Sequence, residues 1–127
     1  MHGTIADSEC LAIFVYDSNK FKRDGVHWRA FLPSKGERSL FRIDGLSELE
    51  VAEIGERDAA TNRQQELKGW ARLIAREVTS RPPLVLKVDE PPPRHGVIAN
   101  WPAESDKQRE LAVELAGVQE PHVRWPG

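Results

Sequence analysis

Two clusters of proline divide the second half of the chain. Pro82 and Pro83 precede residues 84–88, and three successive prolines at 91–93 come soon after them. Proline has no backbone N–H to donate and a fixed φ, so neither a helix nor a central strand can run through either cluster. Residues 84–88 are mostly apolar, which predicts a short strand. Because consecutive prolines favour a stiff extended rod, we expect residues 91–93 to lie at a sheet edge or to cross the surface.

Two segments in the first third of the chain predict a β-hairpin. Residues 26–32 partly alternate between apolar and polar side chains, which predicts a strand whose exposed face carries His27 and Arg29. Turn-forming residues follow, and residues 39–43 predict the returning strand. Two further strands are predicted at residues 11–16 and 95–100.

The first and last of three predicted helices have clear start signals. Ser47 and Glu50 have the spacing of a capping box, so a helix begins there, and Gly55 is expected to end it. The last helix begins with Ser105 as its cap and ends before Pro121. Its predicted core stripe consists of Leu111, Leu115 and Val118.

The longest predicted helix covers about residues 65–79. Apolar side chains recur there at the spacing of one helix face, at Leu67, Trp70, Ala71, Ile74 and Val78. The polar side would carry Lys68, Arg72 and Arg76 four residues apart, as a basic stripe that can follow a phosphate backbone. The alternative is a plain solvated face, since acidic residues flank the stripe and the net charge of the chain is −2.

Strands and helices are interspersed without strict alternation, which predicts the α+β class. We expect one domain over residues 1–127, with a small, mostly antiparallel sheet of about four to five strands packed with three helices. Residues 1–9 and 120–127 are expected to be flexible tails or to dock on the domain. Trp125 either docks or is offered to a partner, and docking is favoured because an exposed indole loses the benefit of burial.

Composition limits the cellular setting. Apolar residues make up 39% and charged residues 30%, as in ordinary globular proteins. The single cysteine, Cys10, excludes an internal disulfide, and its place before an apolar segment favours a buried side chain over a nucleophile. No apolar run approaches the ~20 residues of a membrane span, and the N-terminal residues do not have the pattern of a signal peptide. We therefore expect a cytoplasmic protein with no membrane partner.

Residues 91–102 concentrate side chains that suit an anion site. A stiff proline segment would hold Arg94 and His95 in a fixed place, as the binding of a phosphate or carboxylate requires. The alternative is structural, with His95 hydrogen-bonded to a neighbouring carbonyl group and Trp101 filling the core. Both interpretations remain open at this point.

His27 and Arg42 lie on the two strands of the predicted hairpin. If the fold places them on one face with Arg94 and His95, the set resembles the equipment of metal-independent ribonucleases. One imidazole would remove the proton from a hydroxyl group, and the other would return it to the leaving group. The two arginines would hold the phosphate.

No pattern predicts a metal or a cofactor. The four histidines have no short spacing, and the sequence contains neither an HExxH nor a CxxC motif. It also lacks a glycine-rich phosphate loop and a GxSxG elbow. We therefore expect no metal site and no cofactor.

Two motifs are similar to those of a group of small, uncharacterised bacterial proteins. Residues 30–33 and 39–46 follow the pattern AFxP…SxFRxxGL, and residues 92–102 follow the pattern PPRHxxIxxWP. Gly96 stands where alanine is usual, and Asn100 stands where glycine is usual. The resemblance extends over about residues 11–118, and it implies no activity because none is established for that group.

Since no catalytic pattern is strong, the first expectation is a non-enzymatic accessory or protein-interaction domain of a bacterial cytosol, with another protein as its partner. Its surface would include residues 20–42, which carry seven basic and two acidic side chains, together with the 91–93 rod, Trp101 and Trp125. One alternative is a small metal-independent nuclease or transferase that uses the two histidines on a phosphate-containing substrate. The other is a nucleic-acid-binding domain that uses the basic stripe.

Overall fold

A single antiparallel sheet organises the chain. The computed structural model describes residues 4–16, 21–22, 25–59 and 66–123. The strands are β1 Cys10–Val15, β2 Phe21–Lys22, β3 Gly25–Val26, β4 Arg38–Arg42, β5 Gly69–Ile74, β6 Val85–Val88, β7 His95–Ala99 and β8 Glu120–Val123. Six of them form the sheet in the order β6-β7-β4-β1-β5-β8, and β2 pairs only with β3. The α+β class is confirmed, and the sheet has one more strand than the upper limit expected.

Helices cover both faces of this sheet. They are α1 Glu48–Asp58, α2 Ala75–Thr79 and α3 Ser105–Val118, and a 3₁₀ turn spans Trp28–Phe31. All of β1 is buried because it lies between these layers. Leu11 and Ile13 belong to the core that contains Leu115 of α3, whereas Phe14 belongs to the core that contains Val51 of α1. We call the two sides of the sheet the α3 face and the α1 face.

The start of α1 follows the predicted capping box, but its end does not follow the prediction. The Ser47 hydroxyl accepts a 3.2 Å hydrogen bond from the Glu50 backbone, and the Glu50 carboxylate accepts one of 2.9 Å from the Ser47 backbone. The helix then continues through Gly55 to Asp58. A Cβ atom at Gly55 would lie 2.7 Å from the Phe14 ring, so glycine is needed for close helix–sheet packing and does not end the helix.

The predicted helix over residues 65–79 is wrong for most of its length. The chain forms β5 up to Ile74, and only Ala75–Thr79 is helical. Trp70 and Ala71 are both buried, one in the core of each face, because β5 is covered on both sides. Burial on both faces hides the alternation of a strand, and the remaining apolar spacing then imitates a helix.

No helix of the described residues is long and apolar enough to cross a membrane.

The predicted hairpin between residues 26–32 and 39–43 is also wrong. After β3, the Trp28–Phe31 segment makes a 3₁₀ turn, and β4 pairs with β1 and β7 instead. Ala30 and Phe31 are adjacent in sequence and both buried in the α3-face core. An alternating strand cannot bury two adjacent side chains on one face, but a helical turn can.

The prolines at 91–93 form a connection and not an extended rod. The strand predicted at residues 84–88 is β6, which lies at one edge of the sheet and pairs with β7. The Asp89 backbone donates a 2.9 Å hydrogen bond to the His95 carbonyl, and the His95 backbone donates one of 3.2 Å to the Pro92 carbonyl. These bonds fold residues 89–95 into a compact hairpin loop.

Asn100 follows β7 with a left-handed backbone, at φ 63°. Its side-chain amide donates a 2.9 Å hydrogen bond to the Pro83 carbonyl. Asparagine tolerates this conformation better than most residues, and glycine tolerates it best.

The last helix and the strand after it differ from the predictions in three details. Glu104 occupies the cap position of α3, in place of Ser105, and makes no side-chain cap bond. Ala112 and Leu115 are its buried residues, whereas Val118 is 40% exposed and lies outside the core stripe. The chain then continues as β8, which docks on β5 and was not predicted as a strand. Trp125 lies outside the described residues.

Candidate binding site

A cleft of about 330 Å³ opens on the α1 face between the end of α1 and the β6–β7 loop. We call it the α1 cleft. Its walls are Phe41, Ile54, Arg57, Asp58, Pro92, Pro93 and Arg94. The walls therefore combine an apolar floor, rigid prolines, two arginines and one aspartate.

Three elements bring these residues together. Phe41 lies directly opposite His95 in the β4–β7 pairing, so both side chains point to the α1 face. The last turns of α1 supply Ile54 and Arg57, and the loop after β6 supplies Arg94. The cleft thus depends on strand pairing between segments that are far apart in sequence.

Neither guanidinium of the α1 cleft makes an ion pair or a hydrogen bond with a carboxylate among the described residues, although Arg94 attracts Glu9 and Glu50 at longer range. Arg57 is exposed and makes no hydrogen bond or ion pair there. The Arg94 side chain donates a 3.3 Å hydrogen bond to the Arg42 carbonyl group, and that acceptor is uncharged. Asp58 is already bound, because the Tyr16 hydroxyl donates a 2.5 Å hydrogen bond to its carboxylate. The α1 cleft therefore has two guanidinium groups whose N–H donors are available to a ligand.

His95 lies beside the α1 cleft and is held in place by its neighbours. Its ring packs edge-on against Phe41, with 5.2 Å between ring centres. Its Nδ1 atom lies 2.8 Å from the Asp89 carbonyl oxygen and 3.3 Å from the Asp89 carboxylate. The His95 side chain is only 15% exposed. These contacts match the structural interpretation of His95.

The four candidate catalytic residues do not meet at one site. Arg42 lies opposite Leu11, so its side chain is on the α3 face, where it binds Glu9. His27 caps the 3₁₀ turn, which packs on the α3 face, and its Nδ1 accepts a 3.1 Å hydrogen bond from the Arg29 backbone. His95 is on the other side of the sheet. His27 and His95 therefore do not face a common substrate as acid and base.

The three residues of the predicted basic stripe lie on different elements of the fold. Lys68 precedes β5 and lies 3.5 Å from Glu66, Arg72 is within β5, and Arg76 is in α2. Arg72 donates a 3.3 Å hydrogen bond to the sulfur of Cys10, and this bond is the main cause of a raised pKa at Arg72. The three cations therefore do not share one helix face.

Trp101 is a structural residue in this fold. It is half-buried against the α3-face core, and its indole N–H donates a 3.0 Å hydrogen bond to the Ile98 carbonyl. A satisfied indole packed in this way offers little surface to a partner.

A second cleft, of about 280 Å³, lies where β8 meets the start of α1. His122 stacks on Trp70 with 4.2 Å between ring centres, and its Nδ1 atom lies 2.9 Å from the Glu48 carboxylate. The sequence did not point to this cluster, because residues 120–127 have the composition of a tail. Pro121 between two polar residues was the available signal, since proline is typical of edge strands.

Among the described residues, no group of three His, Cys, Asp or Glu side chains is arranged to hold a metal ion. The chain matches no known family model, no curated protein and no solved structure.

Proposed function

We propose that this protein is an accessory domain of a bacterial cytosol that binds an acidic segment of another protein in the α1 cleft. The observation that carries the proposal is the pair Arg57 and Arg94, which border an apolar cleft without a carboxylate partner among the described residues. Guanidinium groups bind carboxylates through paired hydrogen bonds, which gives an acidic ligand both affinity and orientation.

The apolar walls favour a ligand with an apolar side chain next to its acidic ones. Phe41 and Ile54 form the floor, and Pro92 and Pro93 form a wall with few internal rotations. A wall of this kind loses little conformational entropy on binding. The volume of about 330 Å³ suits one or two side chains of an extended peptide.

Charge reversal in the α1 cleft tests the proposal. The probes are two capped hexapeptides, one alternating Glu with Leu and the other alternating Lys with Leu, added to ¹⁵N-labelled protein. We expect the acidic peptide to shift the amide signals of Ile54, Arg57 and Arg94, and the basic peptide to leave them in place. The Arg57→Glu/Arg94→Glu variant should lose at least tenfold in affinity for the acidic peptide.

A charge-matched control separates a local effect from the change in net charge. The Lys35→Glu/Arg76→Glu variant changes the charge by the same amount at two exposed positions outside the α1 cleft. Its affinity for the acidic peptide should stay within about twofold of the unaltered protein. Equal losses in the two variants, or shifts that map away from the α1 cleft, would refute the proposal.

A further inference from the structure

A basic and aromatic cluster lies on the α3 face, and we call it the Trp28 cluster. It consists of His27, Trp28, Arg29 and Arg109. The guanidinium carbons of Arg29 and Arg109 lie 5.3 and 5.1 Å from the centre of the Trp28 ring. Both distances fall in the range of cation–π contacts. The two guanidinium groups are thus gathered around one indole.

The backbone holds this cluster in place. Trp28 and Arg29 belong to the 3₁₀ turn, which is anchored by the buried Ala30 and Phe31 against α3. Arg109 comes from α3 itself. His27 completes the cluster, with 5.3 Å between its ring centre and that of Trp28. The groups are therefore preorganised before any ligand arrives.

The two arginines of the Trp28 cluster are exposed and keep their hydrogen-bond donors available. Within the described ranges, neither guanidinium forms an ion pair or a side-chain hydrogen bond. Asp106 lies one turn before Arg109 on α3 and is not paired with it. The indole, and not a carboxylate, positions these cations, so their N–H edges remain free for an anion.

We infer that the Trp28 cluster binds the phosphate backbone of single-stranded nucleic acid. Guanidinium N–H groups match phosphate oxygens in pairs, while guanidinium planes offer flat surfaces to unstacked bases. Positive charge interleaved with aromatic rings is the usual composition of sequence-tolerant single-strand sites. The Trp28 cluster lies across the sheet from the α1 cleft, so this inference does not depend on the proposed function.

Fluorescence anisotropy with a labelled deoxythymidine 12-mer tests the inference. Affinity should fall as salt rises between about 20 and 200 mM, because each phosphate contact releases counterions. For a single strand the slope of log K against log salt is about −0.7 per contact. The Arg29→Ala/Arg109→Ala variant should therefore bind more weakly, with a slope that is shallower by about 1.4.

Two further variants show which groups cause a loss of affinity for the 12-mer. Arg76→Ala/Lys87→Ala removes the same charge from α2 and β6, away from the Trp28 cluster, and should leave the slope unchanged. Trp28→Phe keeps an aromatic ring in place and should weaken binding by about two- to fivefold without changing the slope by a full contact. Thermal unfolding of each variant confirms that it is folded before binding is measured.

Three results would overturn the inference. The first is an absence of binding by the unaltered protein at about 20 mM salt, where phosphate contacts are strongest. The second is an equal change of slope in the Arg29→Ala/Arg109→Ala variant and in its charge-matched control. The third is displacement of the 12-mer by a polyglutamate chain of equal charge at equal concentration, because the site would then accept any polyanion.

Discussion

The carboxylate of Glu9 accepts two hydrogen bonds from the guanidinium of Arg42, each 2.8 Å long. The pair joins the residue before β1 to the last residue of β4, and its side chains are only 13% and 21% exposed. The hydrogen bonds from Arg42 are the main cause that holds the pKa of Glu9 below its usual value of 4.5. The same bonds raise the pKa of Arg42.

This pair predicts a specific dependence of stability on pH. A carboxyl group with a lowered pKa stabilises the folded state fully above its unfolded-state pKa, and that stabilisation is lost as pH falls through the folded-state pKa. At pH 7, Glu9→Gln should therefore reduce the free energy of unfolding by about 1 to 2 kcal/mol. Urea unfolding of both proteins at several pH values measures the difference.

The difference in the free energy of unfolding between the unaltered protein and Glu9→Gln should shrink as the pH is lowered below about 4.5. It should nearly vanish once Glu9 is protonated in both the folded and the unfolded state. Glu50, whose pKa is also lowered, by its hydrogen bonds with Ser47, is present in both proteins and cancels in the comparison. A difference that stays constant from about pH 7 to about pH 3 would contradict the assignment to Glu9.

Gly55 provides a test of the packing between α1 and the sheet. A Cβ atom there would lie 2.7 Å from Phe14 and 2.8 Å from Leu67, so Gly55→Ala should lower the free energy of unfolding by about 1 to 3 kcal/mol. Gly117 in α3 is the matched control, since a Cβ atom at that position would have no neighbouring atom within 4 Å. Gly117→Ala should raise stability by up to about 1 kcal/mol through helix propensity. Urea unfolding measures the free energy of unfolding of both variants. If the two substitutions change it equally, α1 does not pack this closely on the sheet.

His95→Ala tests the structural interpretation of this histidine. The change removes the ring from Phe41 and a hydrogen-bonding partner from the Asp89 carbonyl, so we expect a loss of about 1 to 2 kcal/mol in the free energy of unfolding. Arg94→Ala, one residue earlier and exposed, should cost less than about 0.5 kcal/mol. Thermal unfolding of the two variants measures the contrast. Unchanged stability in His95→Ala would argue against a structural role.

The predictions that held depend on local chemistry. The capping box at Ser47 and Glu50 needs only atoms three residues apart, and the apolar run that became β1 needs no partner to be recognised as buried. In each case the deciding interaction lies within a few residues of the signal.

The predictions that failed depend on contacts between distant segments. The apolar spacing of residues 69–74 imitates a helix, but in the fold they pair with β1 and β8 as a strand. The cores on the two faces of the sheet then bury Ala71 on one side and Trp70 on the other. From the sequence, Gly55 is expected to end a helix. Only the fold shows that the Phe14 ring lies against it and that glycine is needed for this close packing. No local pattern carries this information.

By itself, the sequence determined the class of the fold, the start of α1 and the positions of several strands, because backbone propensity and periodic burial are local properties. Only the tertiary structure decided that His27 and His95 lie on opposite sides of the sheet, that Arg57 and Arg94 border the same cleft, and that Arg109 packs on Trp28. The physical reason is that each of these relationships is set by strand order and helix docking, which bring together residues that are tens of positions apart.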